Sequence, residues 1–172
     1  GLLFISVGLF KKIVLGDSLA PFVNFGYESV ENLTLITSWI LAIAFYLQIY
    51  FDFSGYADLA IGSALLINIK LPLNFNSPYK SKSLIEFWKR WHMTLSEFLN
   101  HYLYVPLLRL CNTITFARAM LITLFIMFVS GIWHGAGWCF IMWGLLHGIG
   151  LVINHGWSKT KFRLPKGLAW FL

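Results

Sequence analysis

The sequence predicts an all-α membrane protein, a polytopic bundle of tilted or broken helices with an amphipathic basic helix lying between its membrane segments. Three observations carry that prediction. Hydrophobic residues fill 58% of the 172 positions and charged residues only 12%, where a soluble domain carries about 25% charged residues. Mean hydropathy is +0.71. Two runs, 32–51 and 119–158, contain no Asp, Glu, Lys or Arg, and about twenty apolar residues suffice to span the hydrocarbon core of a bilayer.

Residues 1–69 read as membrane helices. The opening stretch Gly1 to Tyr27 is apolar but carries Lys11, Lys12 and Asp17, which suggests the end of one span and an interfacial turn at Pro21. Asn32 to Phe51 is a full span. Asp52 and Asp58 then interrupt, so Leu59 to Ile69 reads as a broken or tilted continuation. Gly1 and Leu172 both fall in apolar runs, so the chain reads as an internal fragment of one domain.

Residues 70–118 are a different material, with seven basic and two acidic side chains. Ser83 followed by Glu86 has the spacing of a capping box, and the pattern runs from there to Pro106, which should push Val105 out of helical geometry. At 100° per residue, Leu84, Phe87, Trp88, Trp91, Leu95, Phe98, Leu99 and Tyr102 share one arc. Lys89, Arg90, Glu97, Asn100 and His101 share the other. His92 sits at the margin of the apolar arc, and His101 faces water. A basic surface beside a membrane is ordinarily cytoplasmic. Without a basic run of five or more, or a nucleic-acid motif, the net charge of +6 does not point to nucleic acid.

Residues 119–158 have room for two crossings, with Gly131, Gly135 and Gly137 where a reversal or break would sit. The basic tail of 159–172 holds Lys159, Lys161, Arg163 and Lys166 before the next apolar segment begins. If 119–158 is a hairpin, both ends face one side.

Ionisable groups inside a membrane are expensive and are functional candidates by default. His134 stands in Gly131-Ile132-Trp133-His134-Gly135-Ala136-Gly137-Trp138, in the middle of the uncharged run. Desolvation there favours a neutral imidazole, the form a general base needs. Hydrogen bonding to a neighbouring carbonyl across two helices is the plainer reading. His147 reads as a packing or interhelical hydrogen-bonding residue and His155 as interfacial. His134 and His147 lack the spacing of a helical zinc pair, and no metal site is expected. Cys111 and Cys139 read as inert core thiols. Asp52 and Asp58 need partners, and a buried structural network and a substrate-lining role both remain open.

Four strings then make the reading specific. Gln48-Ile49-Tyr50-Phe51-Asp52-Phe53-Ser54-Gly55-Tyr56-Ala57-Asp58, Asn74-Phe75-Asn76-Ser77-Pro78-Tyr79, Phe87-Trp88-Lys89-Arg90-Trp91-His92 and Trp133-His134-Gly135 resemble, in order, the hallmarks of membrane-bound O-acyltransferases. The similarity is strongest to the bacterial branch that acetylates alginate or transfers D-alanine to teichoic acid. The chain departs from the alginate pattern at Asn100-His101 and at Leu108-Arg109, which leaves the acceptor open.

The resemblance implies a helix bundle around a tunnel, in a multi-pass protein of the bacterial inner membrane. It implies an O-acyltransferase with no tightly bound cofactor. The acyl donor would be acetyl-CoA or a thioester on an acyl carrier protein. The acceptor would be an exported polysaccharide or a relay acetyltransferase. It gives His134 the role of general base and His92 a supporting catalytic role, with Asp52, Trp88, Trp91 and Trp133 contacting substrate. The rival classes are a transporter with a His/Asp relay and a non-catalytic scaffold of a polymer-export complex.

Overall fold

The computed structural model describes residues 1–160 together with Leu164, Pro165, Gly167 and Ala169. Lys161, Arg163 and Lys166 of the basic tail, and Trp170, Phe171 and Leu172, lie outside the described residues. Among those described, every regular element is helical. They form two compact units, Gly1–Asn74 and Phe75–Leu172.

In the first unit, helical geometry is continuous from Leu2 to Glu28 through α1 (Leu2–Leu9), a π-helical segment (Phe10–Gly16) and α2 (Asp17–Glu28). The turn expected at Pro21 does not occur there, because Pro21 lies inside α2. A helical proline presses on the carbonyl of residue i−4. Here that residue is Asp17, at the junction with the wider π turn, where the backbone ladder is already displaced. The reversal comes later, through a 3₁₀ turn at Val30–Asn32. Helix α3 (Leu35–Leu66) then starts on a reciprocal cap. Thr37 N donates to Thr34 Oγ1 at 3.3 Å, and Thr34 N donates to Thr37 Oγ1 at 2.7 Å.

The interruption expected at Asp52 and Asp58 is also absent, since α3 runs unbroken through both for 32 residues. That is about 48 Å of helix, longer than the roughly 30 Å hydrocarbon core, so α3 must tilt or overhang. Charge neutralisation explains the continuity. Lys12 Nζ lies 2.8 Å from Asp52 Oδ1, and Lys11 Nζ lies 2.6 Å from Asp58 Oδ2. These contacts depend on close antiparallel packing of α1 and the π segment on α3. A Cβ added at Gly8 would sit 2.7 Å from the Gly55 carbonyl oxygen, and one at Gly55 2.8 Å from that of Gly8.

The second unit opens with a 3₁₀ turn (Pro78–Lys80). There follow α4 (Leu84–Trp88), α5 (Met93–Leu99), a second π segment (Asn100–Tyr104), α6 (Val105–Arg109), α7 (Phe116–His134) and α8 (Trp138–Ser158). Ser83 caps α4 as the spacing indicated, accepting from Glu86 N at 3.1 Å. The reciprocal half of the box is displaced by one residue, because Glu86 Oε2 accepts from Lys82 N.

The basic amphipathic segment is helical but not one helix. It breaks at Lys89–His92, where His92 takes φ 44° and ψ 54°. The wheel drawn through the break therefore misplaces residues beyond it, and Phe98 and Tyr102 are 54% and 69% exposed. Pro106 does not end the helix either. Val105 is helical at φ −62° and ψ −46°, and Pro106 occupies the first turn of α6, a position that needs no amide donor.

Helices α7 and α8 form an antiparallel hairpin about Gly135–Gly137. Small residues bring them together. A Cβ at Gly131 would lie 2.5 Å from the Phe140 carbonyl oxygen and 3.3 Å from Gly144 Cα. At the other end Lys159 Nζ sits 3.5 Å above the Phe116 ring, so the two outer ends are neighbours. Ile85 N donates to Asn154 Oδ1 at 3.1 Å, tying α4 to α8. Among the described residues α3, α7 and α8 are long and apolar enough to cross a membrane. Outward side chains such as Leu35, Ile36 and Trp39 are exposed, a surface suited to hydrocarbon.

Candidate active site

The second unit gathers two of the sequence-predicted histidines. His134 is the last residue of α7 and His92 the residue before α5. One stands where a helix ends and the other where a helix begins, so neither lies in a helix interior. His92 is half-buried and His134 exposed on this chain. Burial holds His92 below the ordinary histidine range, and the charge of His134 lowers it further.

His134 Nδ1 lies 2.7 Å from the Ser130 carbonyl oxygen, one turn back on its own helix. A carbonyl only accepts, so Nδ1 carries the proton in the neutral ring and Nε2 keeps its lone pair. The carbonyl partner envisaged across two helices is in fact local.

Aromatic rings continue inward from there. His134 packs on Trp143 with centroids 4.9 Å apart, and Trp143 packs on His147 at the same separation. Trp88 meets Trp143 edge-on at 5.8 Å and His147 at 5.4 Å. His147 therefore has the packing role its sequence suggested. Trp143 was not singled out as a site residue from the sequence. Its four-residue spacing from His147 placed both on one helical face and was the available signal.

Trp88 also walls a cavity of about 210 Å³ with Leu95, Tyr104, Met127, Ser130 and Leu151. Its Nε1 is buried without a hydrogen-bond partner among the described residues. The cavity is mainly apolar, and Ser130 links its wall to the carbonyl that holds His134.

Trp91 joins the same aromatic chain through Phe87, on which it stacks at 5.5 Å and which meets Trp88 edge-on at 5.8 Å; Trp91 is also edge-on to Phe75 at 5.1 Å. Trp133 is 65% exposed, its ring perpendicular to His134 at 4.9 Å. Asp52 lies in the first unit, bound to Lys12, which also meets Asp17 at 2.7 Å. Cys111 and Cys139 are free thiols, and Cys139 is exposed on α8 rather than in a core. Among the described residues no three His, Cys, Asp or Glu cluster as a metal site would require.

Comparison with known proteins places this arrangement. The profile of the membrane-bound O-acyltransferase family matches residues 1–163. A peptidoglycan O-acetyltransferase of Helicobacter pylori is 48% identical over 100% of this chain and 33% of its own length. A probable alginate O-acetylase of Azotobacter vinelandii is 44% identical over 86% of this chain and 29% of its own. A teichoic acid D-alanyltransferase of Streptococcus thermophilus is 33% identical over 95% and 41%. The chain thus spans about a third of the length of the curated relatives it matches most strongly. It is a membrane protein, and it belongs to the membrane-bound O-acyltransferase family.

Proposed function

We propose that the whole protein transfers an acetyl group from a thioester to a hydroxyl of a cell-envelope polysaccharide, with His134 as general base. The observation that carries this reading is the Nδ1 contact of His134 with Ser130, which leaves Nε2 free to take a proton. Family membership supplies the reaction class. The acceptor's oxygen attacks the thioester carbonyl while His134 Nε2 takes its proton. The resulting oxyanion is steadied by His92, held neutral by burial and so able to donate one N–H. Collapse of the tetrahedral intermediate breaks the carbon–sulfur bond, and the imidazolium of His134 returns its proton to the leaving thiolate. General-base help of this kind is worth about 10²–10⁴-fold.

The donor is acetyl-CoA or a carrier-bound thioester, and its charged part suits the basic segment 70–118. Peptidoglycan, alginate and teichoic acid, after which the relatives are named, define the acceptor class. The protein sits in the bacterial inner membrane with segment 70–118 toward the cytoplasm. In intact cells a cysteine placed at Ser81, with Cys111 and Cys139 replaced, resists a membrane-impermeant thiol reagent; ready labelling reverses the orientation.

Thiol release from acetyl-CoA, measured in the whole purified protein with soluble peptidoglycan strands or alginate oligosaccharides, tests the chemistry. His134→Gln should lower acceptor-dependent turnover about 10²-fold or more at unchanged thermal stability. Wild-type turnover in a well-folded variant would remove His134 from the reaction.

A further inference from the structure

The break that presents His92 is built rather than loose. Arg90 and Asn76 bond reciprocally across it. Asn76 N donates to the Arg90 carbonyl oxygen at 2.9 Å, and Arg90 Nη1 donates to the Asn76 carbonyl oxygen at 3.1 Å. Glu86 holds the guanidinium from the preceding turn, its Oε1 accepting from Arg90 Nε at 3.0 Å and from Nη2 at 2.8 Å. The same carboxylate uses Oε2 to accept from Lys82 N at 3.0 Å. All five bonds fix backbone or planar groups, and two guanidinium donors converging on one carboxylate oxygen fix the fork's orientation as well as its distance.

Both sides of this clamp run into left-handed backbone. Ser77 follows Asn76 with φ 46° and ψ 60°, and His92 stands two residues beyond Arg90 with φ 44° and ψ 54°. A residue other than glycine in that region brings its Cβ too close to the following carbonyl oxygen and is strained. It persists only where the surroundings over-determine it, commonly at functional sites. A continuous α-helix through residues 89–92 would avoid the strain. It would also carry His92 around with the helical repeat and away from its present place.

We propose that Arg90 is a positioning residue for His92. With Glu86 and the backbone of Asn76 it holds the chain in the left-handed turn that sets where the His92 imidazole stands. Arg90 touches no reacting atom in this scheme. It acts by excluding the helical alternative for the segment between α4 and α5. The proposal rests on the acyl-transfer role given to His92 above.

A double-mutant cycle in the whole protein tests it, with acetyl-CoA as donor and soluble peptidoglycan strands or alginate oligosaccharides as acceptor. Arg90→Ala should lower kcat by about ten- to a hundredfold with KM for acetyl-CoA within about twofold, the size expected for misplacement by an ångström. Arg90→Lys keeps the charge but not the fork and should recover only part of the loss. His92→Ala should also lower kcat at least tenfold. In the His92→Ala background, adding Arg90→Ala should change kcat by less than about twofold, because the residue it positions is gone. Losses that multiply would mean that Arg90 supports the fold generally and would overturn the inference. So would an Arg90→Ala protein with wild-type kcat beside an impaired His92→Ala. Wild-type kcat in His92→Ala itself would instead sink the role assigned to His92, and the two failures are told apart by that single variant.

Discussion

Ser130 and His134 stand one helical turn apart on α7, and the backbone carbonyl oxygen of the first faces Nδ1 of the second at 2.7 Å. The contact needs no other element, so it fixes the tautomer wherever α7 is helical to its end. Solid-state ¹⁵N spectra of histidine-labelled protein at about pH 8.5 should show His134, assigned by its loss in His134→Gln, protonated on Nδ1 and bare on Nε2. A resonance from the opposite tautomer would leave Nε2 unable to accept a proton.

Ion pairing between the π segment and α3 makes a second expectation. Lys11 and Asp58 are the more enclosed pair, with side chains 24% and 16% exposed. Removing one partner strands a charge, whereas removing both does not. Asp58→Leu should lower thermal stability in detergent by several degrees, and Lys11→Met added to it should restore most of the loss. Additive damage in the double variant would show that the pair contributes nothing through its partnership.

Glycines in α8 should divide sharply by position. A Cβ at Gly144 would meet the Met127 carbonyl oxygen and stand 3.1 Å from Gly131 Cα, while one at Gly156 meets nothing within 4 Å. Gly144→Ala should therefore push α7 and α8 apart and destabilise the hairpin. Gly156→Ala should be neutral or stabilise by up to about 1 kcal/mol through helix propensity. Equal effects at both positions would contradict the close packing of the hairpin.

Acid should act on the second unit in two stages. Burial, then the charge of His134, depress His92 from 6.5. The backbone N–H of Lys82, then the Arg90 side chain, depress Glu86 from 4.5. In both cases the folded value lies below the unfolded one. The stability each contributes is thus present above the unfolded value and lost as pH falls through the folded one. The thermal midpoint should decline first below about pH 6.5 and again below about pH 4.5. His92→Asn should shrink the first stage and leave the second. An unchanged first stage would assign it to other groups.

Much of this was readable in advance, for reasons that differ by residue. The uncharged run 119–158 admitted a hairpin or a broken helix, and its central glycines marked where either would turn, so the reversal and the uncharged setting of His134 were legible. Asp52 read equally as structural or functional because Lys12, its partner, is forty residues away in sequence. Pro21 and Pro106 misled because a π turn beside each absorbs what a regular helix could not, and π turns have no local sequence signature. The break at His92 was invisible for a related reason. Its backbone strain is offset by bonds from Arg90 to Asn76, fourteen residues apart, and a helical wheel contains no such term. The wheel nonetheless separated His92 from His101, which is exposed.

The hairpin of α7 and α8 bears on how the protein enters its membrane. Its two outer ends lie together, with Lys159 over the Phe116 ring, and the segment between Ala119 and Ser158 carries no formal charge. A pair of helices so joined can be inserted as one preassembled wedge, tip first, with every Lys and Arg left behind on the side of entry. The tip of that wedge is Trp133-His134-Gly135, so the absence of charge that eases insertion also leaves the candidate base without a charged neighbour along its own hairpin.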